Sequence, residues 1–281
     1  MSIVRLTSKD NPVLKTIRLV SSQSRRAPPD LVLVEGIRIL REAIEAGCAI
    51  PAVVLSERFG AEHNEQRLLA ALSKMRTRLY RAPDALFRAT SGVQAPQGAL
   101  ALASVPRDRL PAAAGAGIPL ILCACQIQDP GNLGTLIRTA AAAGASMVCC
   151  TTDTVSARNP KSIRASAGAF FRLPLVEGLT PTEFAAYCNQ QRIRLYRADA
   201  RAKLVYLKAD LVRPCAILVG NEGQGIAETD WPDAQAISIP MATGVESLNV
   251  AVAGAILLFE ARRQRRYQGQ NPGFLRPTSG R

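Results

Sequence analysis

Leu120-Ile121-Leu122-Cys123-Ala124-Cys125-Gln126-Ile127-Gln128-Asp129-Pro130-Gly131-Asn132-Leu133-Gly134-Thr135-Leu136-Ile137-Arg138 sets the architecture of this chain. The apolar run Ile118–Cys125 is too short for a helix and reads as a buried strand. Pro130-Gly131-Asn132 makes a turn, and Leu133, Ile137, Ala140, Ala141 and Gly144 then recur on one helical stripe, with Arg138 pointing away from it. The small residues 140–144 permit that helix to pack closely on a sheet. A second strand follows at Met147–Thr151, and others are expected at Arg194–Ala198, Ala216–Gly220 and Ala236–Ile239. A final helix is expected from Ser247 to about Tyr267. Strands alternating with helices imply an α/β fold with a mainly parallel sheet covered on both faces.

Working outward, residues 1–105 read as a smaller α/β unit. Val13, Leu14, Ile17 and Leu19 mark an early helix with Lys15 and Arg18 outside, and Leu31–Val34 a strand. Ile37, Leu40 and Ile44 stripe a helix after Glu35-Gly36. Two more strands are expected at Ala52–Leu55 and Ala99–Ala103. The Pro/Gly/Ala-rich stretch 106–117 reads as a linker, 118–267 as the second domain, and 268–281 as a disordered tail.

The 281 residues carry a formal net charge of +13, with a pI near 10.0. That excess suits a phosphate-rich partner, because each neutralised phosphate releases condensed counterions. The absence of an apolar stretch of spanning length argues against a membrane partner. Lys9, Lys15, Arg18, Arg25, Arg26 and Arg38 crowd the N-terminal region with few acids between them, which makes it the better nucleic-acid candidate. Arg158, Lys161 and Arg164 read either as a solvated loop or as residues flanking a target nucleotide. Arg262, Arg263, Arg265 and Arg266 suit the dipole at a helix C-terminus. The seven cysteines lack zinc-ligand spacing and sit mostly in apolar runs. They read as core thiols of a cytoplasmic protein, with no metal site.

Two further strand-end segments join the first. Leu218-Val219-Gly220-Asn221-Glu222-Gly223-Gln224-Gly225 has G-x-x-G-x-G spacing, which departs from the dinucleotide fingerprint and weakens a nicotinamide oxidoreductase reading. Ile239-Pro240-Met241 runs on to Glu246-Ser247-Leu248-Asn249-Val250-Ala251-Val252-Ala253. Ser247 reads as the cap of the last helix, and Asn249 as a buried polar residue that needs partners. Open α/β sheets bind ligands at strand C-terminal ends, so three such loops suggest one composite pocket. In the first segment Asn132 also has a plain reading as a helix cap.

Together these segments resemble the SpoU (TrmH-like) family of S-adenosylmethionine-dependent RNA 2′-O-ribose methyltransferases, over residues 118–267 well and the N-terminal third more loosely. The resemblance implies a C-terminal trefoil knot, a homodimer paired through that domain, and a ribosomal-protein-like RNA-binding module at the N-terminus. It implies that Asn132, Arg138, Glu222, Ser247 and Asn249 form the catalytic centre. Gly220, Asn221, Ile239, Met241 and Leu248 are implied at the cofactor. Methyl transfer to a 2′-hydroxyl requires that the hydroxyl be oriented and lose its proton. Arginine is effectively always protonated, so a guanidinium that holds the adjacent phosphate competes with a neutral guanidine base. Large-subunit ribosomal RNA is the expected substrate. A transfer-RNA enzyme and a catalytically inactive RNA-binding protein are the alternatives. A fragment beginning near Ala114 is expected to fold and bind cofactor without the RNA-selecting unit.

Overall fold

The alternating pattern resolves into two sheets in a computed structural model, which describes residues 3–112, 117–221 and 225–266. The first sheet comprises β1 (Ile3–Arg5), β2 (Leu31–Glu35), β3 (Ala49–Ser56), β4 (Arg78–Ala82) and β5 (Ala99–Ser104), in the order β1-β4-β3-β5-β2. β5 runs antiparallel to β2 and β3, and the remaining pairs are parallel. Helices α1 (Pro12–Ser21), α2 (Ile37–Glu45), α3 (His63–Ser73) and α4 (Asp84–Thr90) accompany it. Asn11 caps α1 by accepting from the Val13 amide, with Pro12 at the first helical position. The apolar stripe Val13, Leu14, Ile17 and Val20 is buried, while Lys15 and Arg18 stay exposed.

The second sheet holds β6 (Leu120–Ala124), β7 (Met147–Thr151), β8 (Leu175–Leu179), β9 (Arg194–Ala198), β10 (Cys215–Val219) and β11 (Gln235–Ile237). Its order is β11-β9-β10-β6-β7-β8, and every pair is parallel. Helices α5 (Pro130–Ala143), α6 (Pro160–Ala165), α7 (Pro181–Gln190) and α8 (Val250–Arg266) cover it. Each residue of β6, β7 and β10 is buried, as continuous apolar strands of a doubly covered sheet should be. α7 shields one face, where Phe184 meets Trp231 edge-on at 6.1 Å. α5 and α8 pack together over the other, and Leu136 lies against Gly254, where a Cβ would collide with it. The last helix starts at Val250 and its described part ends at Arg266, inside the expected span; the tail 268–281 lies outside the described residues.

The seven cysteines are free, and all but Cys48 are buried. Burial pushes the Cys188 thiol up to about 12 and the Cys215 thiol up to about 11, so both stay protonated near neutral pH and pack as small apolar groups. Among the described residues no three His, Cys, Asp or Glu side chains gather to hold a metal, and no helix is long and apolar enough to cross a membrane.

The two sheets are joined through the segment after β7, and here the sequence reading is corrected. Arg158 neither lies in solvent nor flanks an open site: its side chain is 8% exposed and donates to the carbonyl oxygens of Pro29, Val105 and Pro106. Its guanidinium also lies 3.7 Å from Glu177. Arg164 reaches the buried carboxylate of Glu35 at 3.2 Å, which Ser91 also donates to. Arg172 pairs with Glu42 and Glu45 on α2. One buried apolar cluster continues from Val34 and Ile39 beside the first sheet to Ile163 and Phe170 beside the second. α6 in turn sits so close to α5 that a Cβ on Gly134 would overlap the Ser162 carbonyl and the Ala165 methyl. That glycine fixes the separation of the two helices.

Candidate active site

β6 and β10 are neighbours whose carboxyl ends lie side by side, at the place where the chain switches from building outward through β7 and β8 to filling in on the other side. Parallel sheets open a crevice at such a point. From β6 the chain passes through Asp129, whose carboxylate caps α5 by accepting from the Asn132 amide at 2.9 Å. Lys161 bonds the same carboxylate at 2.8 Å and, with the Asn132 amide, holds it below the usual carboxylate range. Asp129 therefore takes the capping role that Asn132 was open to, and the Asn132 side chain serves elsewhere.

It serves across the sheet. Asn249 Nδ2 donates to Asn132 Oδ1 at 3.1 Å, joining residues 117 positions apart. The other end of the Asn249 amide accepts from the Ala251 and Val252 amides at 2.9 and 3.3 Å. Asn249 is thus the cap of α8, where the sequence placed Ser247, and it is exposed where the sequence expected burial. Its need for partners holds all the same.

Beside this contact is a cavity of about 480 Å³. Gly220, Asn221, Ile239, Met241 and Leu248 all line it, as does Ser247. Apolar walls come from Val219, Ile226, Ile237 and Val250, and polar groups from Asn221, Asp199, Glu246 and Ser247. Gly220 has a local reason to be glycine: a Cβ there would meet the Gly225 carbonyl oxygen at 2.6 Å, because the loop folds back on itself through the Asn221–Gly225 bridge. Gly225 takes the left-handed φ of 66° that this return requires. A fourth wall, Ala198-Asp199-Ala200-Arg201 at the end of β9, escaped the sequence reading. Its only signal there is its place after a strand.

Arg138 is exposed on α5, forms no hydrogen bond or ion pair among the described residues, and is not among the residues lining the cavity. Glu222 lies outside the described residues. The C-terminal arginines are more engaged than the sequence suggested. Arg262 donates to the Ala142 carbonyl, Arg263 makes a two-pronged pair with Glu260, and Arg265 bonds the carbonyls of Ile118, Pro119, Leu211 and Arg213. Among the N-terminal cations, Lys15 pairs with Asp10 and Arg18 donates to the Lys9 carbonyl. Arg38 lines a second cavity, of about 750 Å³, together with Arg41 and Arg88. Arg58 lines it too, beside five acids: Asp84 pairs with that Arg58, Glu42 and Glu45 with Arg172, Glu65 accepts from the amides of Gly60 and Glu62, and Glu62 is the N-cap of α3.

Known proteins match this arrangement over most of its length. The family model described as the SpoU rRNA Methylase family matches residues 119–259, and that of the MRM3-like substrate binding domain matches residues 11–101. The 23S rRNA (guanosine(2553)-2′-O)-methyltransferase RlmP of Bacillus subtilis is 28% identical, over 92% of this chain and 99% of that protein. A crystal structure of an RNA 2′-O ribose methyltransferase is 34% identical, with a TM-score of 0.79, and covers 94% of this chain and 100% of its own. The SpoU methyltransferase AviRb of Streptomyces viridochromogenes, solved in complex with the cofactor AdoMet, superposes with a TM-score of 0.82 at 27% identity, over 91% of this chain and 98% of its own.

Proposed function

The chain belongs to the SpoU rRNA methylase family, and we propose from its cross-sheet Asn132–Asn249 contact that the adjoining crevice is a working methyl-transfer site. The protein is an S-adenosylmethionine-dependent RNA 2′-O-methyltransferase of the ribosomal-RNA type. The cavity fits the cofactor in chemistry: Ile237, Ile239 and Leu248 offer apolar walls to a purine, while Asn221, Ser247 and backbone groups around Gly220 offer polar partners. The bound cofactor would supply a methyl group on a sulfonium. Asn132 and Asn249 fix the entry of α5 against that of α8, Ser247 and Asn249 shape the centre, and Arg138 faces the ribose. A guanidinium there would hold a phosphate and polarise the 2′-hydroxyl as its proton passes to water.

Isothermal calorimetry tests the cofactor site. S-Adenosylmethionine and its demethylated product are both expected to bind, with no metal added and no loss in the presence of a chelator. Absence of binding by folded protein overturns the reading, and chelator sensitivity overturns its metal-free part.

The finer readings are a large-subunit RNA substrate, a knotted catalytic domain, a homodimer, and an RNA-selecting unit over residues 1–105. The knot is supported by the match to the SpoU family alone. The dimer is supported by Val252 and Phe259, two turns apart on α8 and each about half exposed, at 48% and 47%. Large apolar side chains left exposed on one helical face mark an interaction surface. Sedimentation at micromolar concentration is expected to give a dimer, and Phe259→Glu a monomer; a monomeric wild type rejects this face as the interface. For RNA, Arg38, Arg41 and Arg88 at the 750 Å³ cavity, none of them in an ion pair among the described residues, are the favoured phosphate contacts. The triple variant Arg38→Ala/Arg41→Ala/Arg88→Ala is expected to bind RNA more weakly and to flatten the log-log salt dependence by about three. An unchanged slope places the RNA on another face.

A further inference from the structure

Arg197, the fourth residue of β9, has no place in the chemistry described so far, yet its charge is almost wholly buried, with the side chain 9% exposed. One guanidinium nitrogen donates to Asp199 Oδ2 at 2.7 Å and the other to Glu228 Oε2 at 2.9 Å. Asp199 uses its second oxygen to accept from the Arg201 amide at 2.8 Å, which closes the loop 198–201. That loop is one wall of the cofactor cavity. Glu228 stands just after Gly225 and Ile226, which belong to the opposing glycine-loop wall. Trp231, 2% exposed in the core under α7, anchors the far end of this second segment. The guanidinium is therefore a side-chain bridge between two walls that are otherwise joined through β9, which pairs with β10 before the glycine loop and with β11 after it.

Its geometry is poor for stability alone. Arg197 Nε is buried without a hydrogen-bond partner among the described residues, and an orphaned buried donor is a net cost. The Glu228 side chain is 79% exposed, so its end of the bridge meets solvent. We propose that Arg197 is a positioning residue that sets the separation of the 198–201 and 225–228 walls and thereby the affinity for S-adenosylmethionine. This rests on the reading of the cavity as the cofactor site.

Position and charge make different forecasts. The cofactor carries a sulfonium that its demethylated product lacks. Removing Arg197 leaves Asp199 and Glu228 without their shared cation, which by charge alone would favour the sulfonium ligand over the product. Loosened walls weaken both ligands alike.

Calorimetry with both ligands on the full-length wild type, Arg197→Lys, Arg197→Met, Glu228→Gln and the Arg197→Met/Glu228→Gln pair decides it. Arg197→Met is expected to weaken both ligands by about tenfold, a typical coupling for contacting residues, with Arg197→Lys in between. Glu228→Gln is expected to weaken both about threefold with an unchanged melting temperature, and the double variant to be no weaker than Arg197→Met alone. Binding of Arg197→Met within twofold of wild type, additive losses in the double variant, or a changed preference between the two ligands each overturns the proposal. Should Arg197→Met not fold, exposed Glu228 carries the test: wild-type affinity in Glu228→Gln overturns the bridge, and weakened binding at full thermal stability upholds it. A wild type that binds neither ligand refutes the cofactor site itself.

Discussion

Arg138→Ala is expected to lower methyl transfer by two to three orders of magnitude while cofactor affinity stays within about twofold of wild type. The side chain is exposed, bonds to nothing among the described residues, and stands apart from the residues that line the cavity. Its removal should therefore change folding stability by no more than about 0.5 kcal/mol, the usual limit for a surface position. On the proposed role, what it removes is a cation beside the ribose, whose hold on the oxygen tightens as the proton departs. An interaction that strengthens only towards the transition state appears in turnover and not in cofactor binding. Arg138→Lys keeps the charge, loses the planar fork, and should fall between the two. Single-turnover transfer of labelled methyl and calorimetry on the same preparation give the two numbers. Parallel losses in both would assign Arg138 to the cofactor and not to the RNA.

The parts of the fold that were legible in the sequence are those buried on both sides. Met147–Thr151 is a strand with the ends read from its apolar run, because a doubly covered sheet leaves no position to interrupt the run; Arg194–Ala198 also has the ends expected, although Arg194 is exposed and Arg197 is ion-paired. β8 was hidden by Glu177 and Gly178, and Glu177 is there to face Arg158, a partner no local pattern announces. α6 was hidden by size: its six residues bury Ser162 against Gly134, a contact that selects small side chains over apolar ones. β1 is three exposed residues on an edge, with no pattern to read. At the site, each cofactor-side residue expected from the motifs lines the same cavity. Ser247 and Asn249 are both good caps, so local chemistry could not choose between them. The choice was made by Asn132, far away in sequence, reaching one end of the amide while α8 takes the other.

Arg158→Met is expected to cost about 3 kcal/mol of stability, the lower end of what breaking a buried ion pair costs. The low end applies because Glu177 keeps the Ser156 hydroxyl and the Ala157 amide as donors after the arginine is gone. Three carbonyls, of Pro29, Val105 and Pro106, lose theirs. For a chain of this size the loss corresponds to a fall in melting temperature of roughly 6–12 °C. Lys161→Ala, three residues along, removes an ion pair whose partners are about half exposed, and should cost less than about 1 kcal/mol. Differential scanning fluorimetry of the two variants beside wild type separates a clamp from a solvated loop. The same contacts revise the expectation that a fragment from Ala114 folds unaided. Such a fragment would strip Arg158 of its three carbonyls, Arg164 of Glu35 and Arg172 of Glu42, and open the shared core at Ile163 and Phe170. It should therefore melt well below the intact protein. An Arg158→Met variant that melts with wild type, together with a fragment as stable as the whole chain, would show the two sheets to be merely in contact, with neither depending on the other for its shape.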